Sequence, residues 1–290
     1  MVRSSLSPGE RTRNDSLLIG EVLVARGIIT EHDVARIVVA QKETQLRFGE
    51  TAVRLGILDE TDTQRALALQ FDYPYSTPGE SNLSSTLACA YEPFGGYAEA
   101  VRSLRSQLLL RWFTDSNKFL AVVSPRDSRG NSVAAANLAI SFAQLGERTL
   151  LLDANLRNGH QRDLFGVSPH YGLSAVLAGR EAVKAAVVNP VENYENLSLI
   201  CAGACVPNPQ ELLGQFAFPY LMEALPSTFD VVIVDTPAAL QFADAQLIVA
   251  QSRGCIINLG RHETSLADVR EVQMQLRPTG ATVLGAVVVG

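Results

Sequence analysis

The chain has 290 residues, enough for one large domain or two smaller ones, and its 47% hydrophobic and 19% charged residues are typical of a globular protein. A net charge of −6 gives no electrostatic reason to expect binding to nucleic acid or to anionic lipid. No run approaches the ~20 apolar residues that cross a bilayer, and no secretory signal is present, so we expect a cytoplasmic protein that does not insert into the membrane.

The first predicted element is an internal repeat. Residues 18–41 recur as 47–70, with glycine, glutamate and glutamine at matching positions. Each copy predicts a short helix, a glycine turn and a second helix, and the N-caps of these second helices are Thr30 and Asp59. We therefore expect a small all-α N-terminal domain over residues 15–75.

The region that follows predicts a linker and then an α/β domain. Serine, threonine, proline and glycine dominate the start of 76–95, which predicts a linker, and the apolar spacing after it predicts a helix over 96–113. Continuous apolar strands separated by helices then predict a parallel sheet with helices on both faces, in a domain that spans 96–290. The strands are predicted at 119–124, 148–154, 197–203, 229–237, 255–260 and 282–290.

The segment after the first of these strands, SPRDSRGNSV, stands where a P-loop opens a helix. Gly130 and Ser132 have the expected spacing, but Asn131 occupies the lysine position and Ser128 the first glycine position. In such a loop the backbone N–H groups hold a phosphate, the lysine neutralises it and the hydroxyl binds Mg²⁺. Because asparagine brings no charge, we expect weaker triphosphate binding and weaker phosphoryl transfer, which Arg126 and Arg129 could offset in part. The alternative is a strand–turn–helix that binds no ligand. The predicted nucleotide-binding residues are Ser128, Arg129, Gly130, Asn131, Ser132 and Val133.

Two aspartates stand at the ends of predicted strands. Asp153 ends the second strand, with Arg157 one turn later, and Asp235 ends the fourth. Ligands bind at the carboxyl ends of strands in doubly wound sheets, so these carboxylates and Ser132 predict a Mg²⁺ site. The alternative is that both aspartates cap the helices that follow.

These segments, with CAGACVPNPQELLG between them, resemble the bacterial tyrosine kinases of polysaccharide export, in particular chain-length-determinant tyrosine kinases of the EpsG type. The resemblance implies a P-loop NTPase-like fold, ATP or ADP with Mg²⁺ as cofactors, and transfer of phosphate to tyrosine. It implies that Ser132 binds Mg²⁺, that Asp153 serves the metal or activates the attacking tyrosine, and that Asp235 is the Walker B carboxylate. Arg157 belongs to the same catalytic set, as the arginine of a D-x-D-x-R motif.

The same resemblance implies partners. A membrane chain-length-determinant protein, the polysaccharide co-polymerase, would recruit the chain to the inner membrane. Glu99, Arg102 and Arg105 match an E-x-x-R-x-x-R motif through which members of the family assemble into rings, so a homo-oligomer is expected.

Three departures from the family pattern bear on activity. Asn131 replaces the Walker lysine, Asn155 replaces the second aspartate of D-x-D-x-R, and no tyrosine follows Tyr220, whereas members usually carry a C-terminal tyrosine cluster. They favour a nucleotide-binding regulator with weak or absent phosphoryl transfer. An active tyrosine autokinase is one alternative, and an adaptor that responds to cyclic di-GMP is another.

The N-terminal repeat resembles the N-terminal domain of type II secretion and pilus ATPases, some of which bind cyclic di-GMP. The alternative is a helical docking module whose glycines serve turns and close packing. The positions that the resemblance assigns to cyclic di-GMP are Gly20, Gln41, Arg47, Gly49 and Gln70.

Overall fold

The computed structural model describes residues 19–59, 62–63, 66–68, 73–77, 81–191 and 194–289. The chain divides into a helical unit, formed by Met1–Thr77 with Glu92–Phe94, and an α/β unit, formed by Pro78–Tyr91 with Gly95–Gly290. Within the described ranges, no helix is both long and apolar enough to span a lipid bilayer.

The helical unit shows the predicted repeat. Both predicted caps are confirmed, because Thr30 accepts from the Asp33 N–H at 3.2 Å and Asp59 from the Asp62 N–H at 2.6 Å. Gly27 and Gly56, at matching positions of the two copies, have φ of +70° and +65°, and glycine adopts this left-handed conformation without strain. The described helices are α1 (Ile19–Ala25), α2 (Glu31–Thr44) and α3 (Phe48–Arg54).

Small residues bring the helices of this unit close together. A Cβ atom on Gly20 would lie 3.2 Å from Val34 and 3.3 Å from Phe48, and one on Gly49 would lie 2.6 Å from Thr63. Both glycines therefore serve close packing. The buried hydrophobic core contains Leu23, Ile29, Ile37, Ala52, Leu58 and Ala66.

One sheet of seven described strands organises the α/β unit, in the order β3-β4-β2-β5-β1-β6-β7. The predicted parallel sheet is confirmed, except that the short edge strand β3 was not predicted and pairs antiparallel with β4. The strands are β1 (Phe119–Val123), β2 (Thr149–Asp153), β3 (Val187–Val188), β4 (Leu197–Ile200), β5 (Val231–Asp235), β6 (Gly254–Gly260) and β7 (Thr282–Val289).

Helices cover both faces of the sheet, as predicted. Leu120 and Val122 of β1 face one hydrophobic cluster, and Ala121 and Val123 face another, because successive side chains of a strand point to opposite sides. The helices are α4 (Ala88–Tyr91), α5 (Gly96–Arg111), α6 (Ser128–Gln144), α7 (Gln161–Phe165), α8 (Leu173–Leu177), α9 (Val183–Ala186), α10 (Pro209–Gly214), α11 (Ala217–Ala224), α12 (Asp244–Ser252) and α13 (Leu266–Leu276), with 3₁₀ turns at Leu225–Ser227 and Arg277–Thr279.

Part of the predicted linker belongs to the core of the α/β unit. Leu83 and Leu87 are buried in the cluster that also holds β1 and α6. The Asn137 side chain accepts from the Cys89 N–H at 2.9 Å and donates to the Thr86 carbonyl at 3.1 Å, which fastens the segment to α6. Residues 81–91 are therefore packed structure, and the interpretation of all of 76–95 as a linker is corrected.

Candidate functional site

The topology brings the predicted site residues together at the carboxyl edge of the sheet. β5 lies between β1 and β2, so the loop after β1 meets the ends of the other two strands. Asp153 and Asp235 are direct partners in the register of β2 and β5, and both are 0% exposed. The loop and the two aspartates therefore meet at one edge of the sheet, and the Mg²⁺ site stays a prediction.

Asn131 is turned away from the loop and into the sheet. Its amide nitrogen lies 2.7 Å from the Val122 carbonyl, 3.1 Å from Asp235 Oδ1 and 3.2 Å from the Thr236 carbonyl. The residue is completely buried. An amide in this place fastens the start of α6 to β1 and β5 but supplies no positive charge for a phosphate.

Asp235 is held by hydrogen bonds from side chains of its own chain. Besides Asn131, the Ser132 hydroxyl donates to it, and Gln161 Nε2 donates to Oδ2 at 2.8 Å. Gln161 also donates to the Ser132 carbonyl at 2.9 Å, and its backbone N–H donates to Asp153 Oδ2 at 3.2 Å. Gln161 is thus central to the site. It lies 74 residues from Asp235 in a segment with no motif of its own, so no sequence pattern indicates its role.

The two carboxyl groups resist ionisation. Burial raises the pKa of Asp235 to about 6, against the opposing effect of its hydrogen bonds, and burial together with the Asp235 charge raises the pKa of Asp153. Among the described side chains, no lysine or arginine forms an ion pair with either carboxylate. The site is therefore rich in hydrogen-bond acceptors and lacks a compensating cation.

Arg157 is engaged elsewhere. Its guanidinium makes two hydrogen bonds to the buried carboxylate of Asp244, at 2.7 and 3.1 Å, and lies 4.1 Å from the centre of the Phe242 ring. Asn155 closes its own turn through a pair of hydrogen bonds with the Asn158 backbone, at 2.8 and 3.1 Å. The catalytic role that the resemblance gives to Arg157 stays a prediction.

An acidic residue of the loop caps the helix that follows it. Asp127 is the N-cap of α6 and accepts from the Gly130 N–H at 3.0 Å. A Cβ atom on Gly130 would lie 2.1 Å from Asp127 Oδ2, so the carboxylate covers the surface of this glycine. The helix begins at Ser128, directly after this cap.

Two cations lie next to the loop. Arg126 pairs with Asp268 of α13 at 2.8 Å, and Arg129 is exposed. Val133 packs against the core that α5 and α6 share.

A magnesium nucleotide would compete with internal contacts at this site. Ser132, Asp153 and Asp235 carry the oxygen atoms that Mg²⁺ prefers, but internal donors occupy both carboxylates and a third carboxylate covers the loop. Within the described residues, no three His, Cys, Asp or Glu side chains are grouped to hold a metal ion. No chemical step through a bound nucleotide follows from this geometry.

The predicted assembly motif divides into exposed and buried parts. Glu99 accepts from Arg102 Nε at 3.0 Å on α5, and the Glu99 side chain is 66% exposed. Arg105 is buried and donates to the Ser141 carbonyl of α6 at 2.5 Å, so it stabilises its own unit. Glu99 and Arg102 are therefore the residues of the motif that a neighbouring subunit could reach.

The predicted cyclic di-GMP positions have internal roles where they are described. Gly20 and Gly49 pack against neighbouring side chains, as described above for the helical unit. Gln41 donates to the Leu46 carbonyl at 3.2 Å, whereas Arg47 is exposed. Gln70 lies outside the described residues, so binding of cyclic di-GMP stays a prediction.

No protein-family model matches the chain. The tyrosine-protein kinase YwqD of Bacillus subtilis is 29% identical over 210 residues, which cover 72% of this chain and 88% of YwqD. The tyrosine-protein kinase etk of Escherichia coli (strain K12) is 32% identical over 199 residues, which cover 68% of this chain and 27% of etk. The chain thus spans most of some relatives and about a quarter of others.

Solved structures agree with these relatives. The kinase domain of the Escherichia coli tyrosine kinase ETK superposes with a TM-score of 0.67 at 28% identity, covering 73% of this chain and 82% of that domain. The chimerical protein CapA2B2 gives a TM-score of 0.66 at 26% identity, covering 78% of this chain and 97% of the other. The septum site-determining protein MinD of Pyrococcus horikoshii, complexed with Mg-ADP, shares the fold alone, with a TM-score of 0.50 at 23% identity over 59% of this chain and 69% of MinD. The homologues of this chain are bacterial tyrosine-protein kinases, and its α/β unit has the P-loop NTPase-like fold of their kinase domains.

Proposed function

We propose that this protein is a kinase-like regulator of exopolysaccharide synthesis or export that transfers little or no phosphate. The observation that carries the proposal is the buried Asn131 amide, which donates to Asp235 at the position where the kinase motif has a lysine. Phosphoryl transfer depends on cations that stabilise negative charge in the transition state. Here the charge is absent, and the Walker B carboxylate is held by neutral donors.

The contribution of nucleotide is regulatory in this proposal. ATP or ADP with Mg²⁺ would bind weakly at the loop. The bound nucleotide would regulate the protein and would not serve as a phosphate donor. Glu99 and Arg102, on the accessible side of α5, would make the contacts of a homo-oligomer.

The proposal places the protein in the cytoplasm beside a membrane partner. The resemblance to polysaccharide-export kinases supports a membrane chain-length-determinant protein as that partner, which would recruit the chain to the inner membrane. The helical unit would serve as a docking module, and the packing roles of Gly20 and Gly49 support this over a nucleotide site.

A complementation experiment tests the proposal. The gene is deleted in its source organism and restored as wild type or as Asp153→Asn, and the yield and chain length of the exopolysaccharide are compared. We expect both to restore the polymer, because regulation without transfer does not need the ionised carboxylate. An Asp153→Asn variant that accumulates and folds normally, as judged by thermal denaturation of the purified protein, yet fails to restore the polymer, would contradict the proposal and favour an active kinase.

A further inference from the structure

The carboxylate of Asp127 lies at the N-terminus of the 17-residue helix α6. Asp127 Oδ2 accepts from the Gly130 N–H at 3.0 Å and occupies the space directly over the Gly130 Cα. In a P-loop this same surface is where the backbone N–H groups receive a phosphate.

A carboxylate and a phosphate compete for such a surface. Both are anions that satisfy the free N–H groups of the first helical turn and that the helix dipole attracts. Since the chain itself supplies one anion, a nucleotide has to displace it before its own phosphates reach the loop. The loss of the lysine at position 131 removes the charge that would favour the phosphate in this competition.

Other contacts keep the loop in the conformation that allows this cap. The Ser124 hydroxyl donates to the Asp127 carbonyl, Asn258 Nδ2 donates to the Gly130 carbonyl at 3.2 Å, and Arg126 pairs with Asp268. The Asp127 side chain itself is exposed, so it can leave the loop without disturbing the core.

We propose that Asp127 is an intramolecular competitor of phosphate, and that this residue, together with the missing lysine, sets how tightly the loop binds a nucleoside diphosphate. The inference rests on the proposed function, since it explains why nucleotide binding is weak at a site with the kinase fold. It assigns an affinity-determining role to a loop residue that is not among the predicted nucleotide-binding residues.

Calorimetric titration of the full-length protein with Mg·ADP tests this role. Asp127→Asn keeps an N-cap residue but removes its charge, and Asp127→Ser keeps an N-cap with a shorter side chain. We expect each variant to bind Mg·ADP about tenfold more tightly than wild type, the factor that corresponds to removal of one close charge repulsion of moderate strength. Asp115→Asn is the matched control, because it removes the same charge from an exposed position before β1, at the end of this strand opposite the loop.

Equal affinity for wild type, both Asp127 variants and the control would overturn the inference, as would an equal gain in the Asp115 control. A parallel titration with inorganic pyrophosphate tests whether the gain belongs to the phosphates, and we expect the same order of affinities. Thermal denaturation establishes that each variant is folded before it is titrated, and having two variants keeps the test decisive if one does not fold. Failure of the proposed function would instead be seen as phosphoryl transfer by the wild type.

Discussion

The residue at position 131 decides what the site can do. A lysine there would place a flexible cation beside phosphates. The asparagine amide instead donates to three oxygens, which belong to β1, β5 and the turn that follows β5. These contacts of Asn131 stabilise the fold, whereas phosphoryl transfer would need a positive charge at this position.

Restoring the charge should restore part of the binding. We expect Asn131→Lys to tighten Mg·ATP binding by about tenfold or more, because a partly buried charge interaction with phosphate contributes at least about 1.4 kcal/mol. Calorimetric titration measures the effect. Asn208→Lys, which adds the same charge at an exposed position, should leave the affinity unchanged. No difference between the Asn131 variant and wild type would show that charge is not what limits binding.

The raised pKa of Asp235 gives a pH dependence with a definite sign. The folded protein holds a proton on this carboxyl up to a pH of about 6, whereas the unfolded chain releases it near the ordinary value of 3.8. Stability is therefore lost as the pH rises through this window, by up to about 3 kcal/mol for a shift of this size, and is constant above it. A lysine at position 131 would lower the pKa of Asp235 and reduce that loss.

The prediction concerns the difference in unfolding free energy between Asn131→Lys and wild type, and how that difference changes with pH. The unfolding free energy of Asn131→Lys minus that of wild type, from urea denaturation, should increase between pH 4 and pH 7. A difference that does not vary with pH would contradict the assignment of the raised pKa to uncompensated burial.

At the scale of elements, the turn between β2 and α7 is fitted closely to the site. A Cβ atom on Gly159 would lie 2.5 Å from the Ala202 Cβ and 2.6 Å from Asp153 Oδ2. We expect Gly159→Ala to destabilise the protein by about 1–3 kcal/mol through overpacking, measured by urea denaturation. Gly214→Ala is the control, since a Cβ there meets nothing within 4 Å and the change should be within about 0.5 kcal/mol. Equal stability of the two variants would mean that the turn can move away from Asp153.

The elements also show what the sequence could predict. Strands β1, β2, β5 and β6 follow from continuous apolar runs, and the strand-end positions of the two aspartates follow from the same runs. The two-residue β3 has no pattern of its own. The cap at Asp127 has no clear signal in the sequence, because the first turn of α6, SRGN, contains no apolar residue.

Long-range partners account for the rest of the site. The fold places Gln161 beside Asp235 and Asp244 beside Arg157. Neither the residue types nor their spacing in the sequence predicts these contacts. The composition of 81–91 predicts a linker because Leu83 and Leu87 are isolated apolar residues among small polar ones.

At the scale of the whole molecule, the segment 81–91 belongs to the α/β unit, although its composition is typical of a linker. Removing the Asn137 side chain leaves the buried Cys89 N–H and the Thr86 carbonyl without the partners they have in the fold. We expect Asn137→Ala to lower the free energy of unfolding by at least about 2 kcal/mol. The exposed Asn196→Ala is the control, and similar stability of both variants would show that the segment is only loosely attached.

The molecule as a whole combines the fold of bacterial tyrosine kinase domains with a buried asparagine that donates to Asp235. The most direct test is incorporation of labelled phosphate into tyrosine by the full-length protein, incubated with Mg·ATP and a tyrosine-containing acceptor such as poly(Glu,Tyr). We predict no incorporation above the level of an Asp235→Ala variant. Phosphotyrosine that forms with the wild type and is lost in Asp235→Ala would contradict the account.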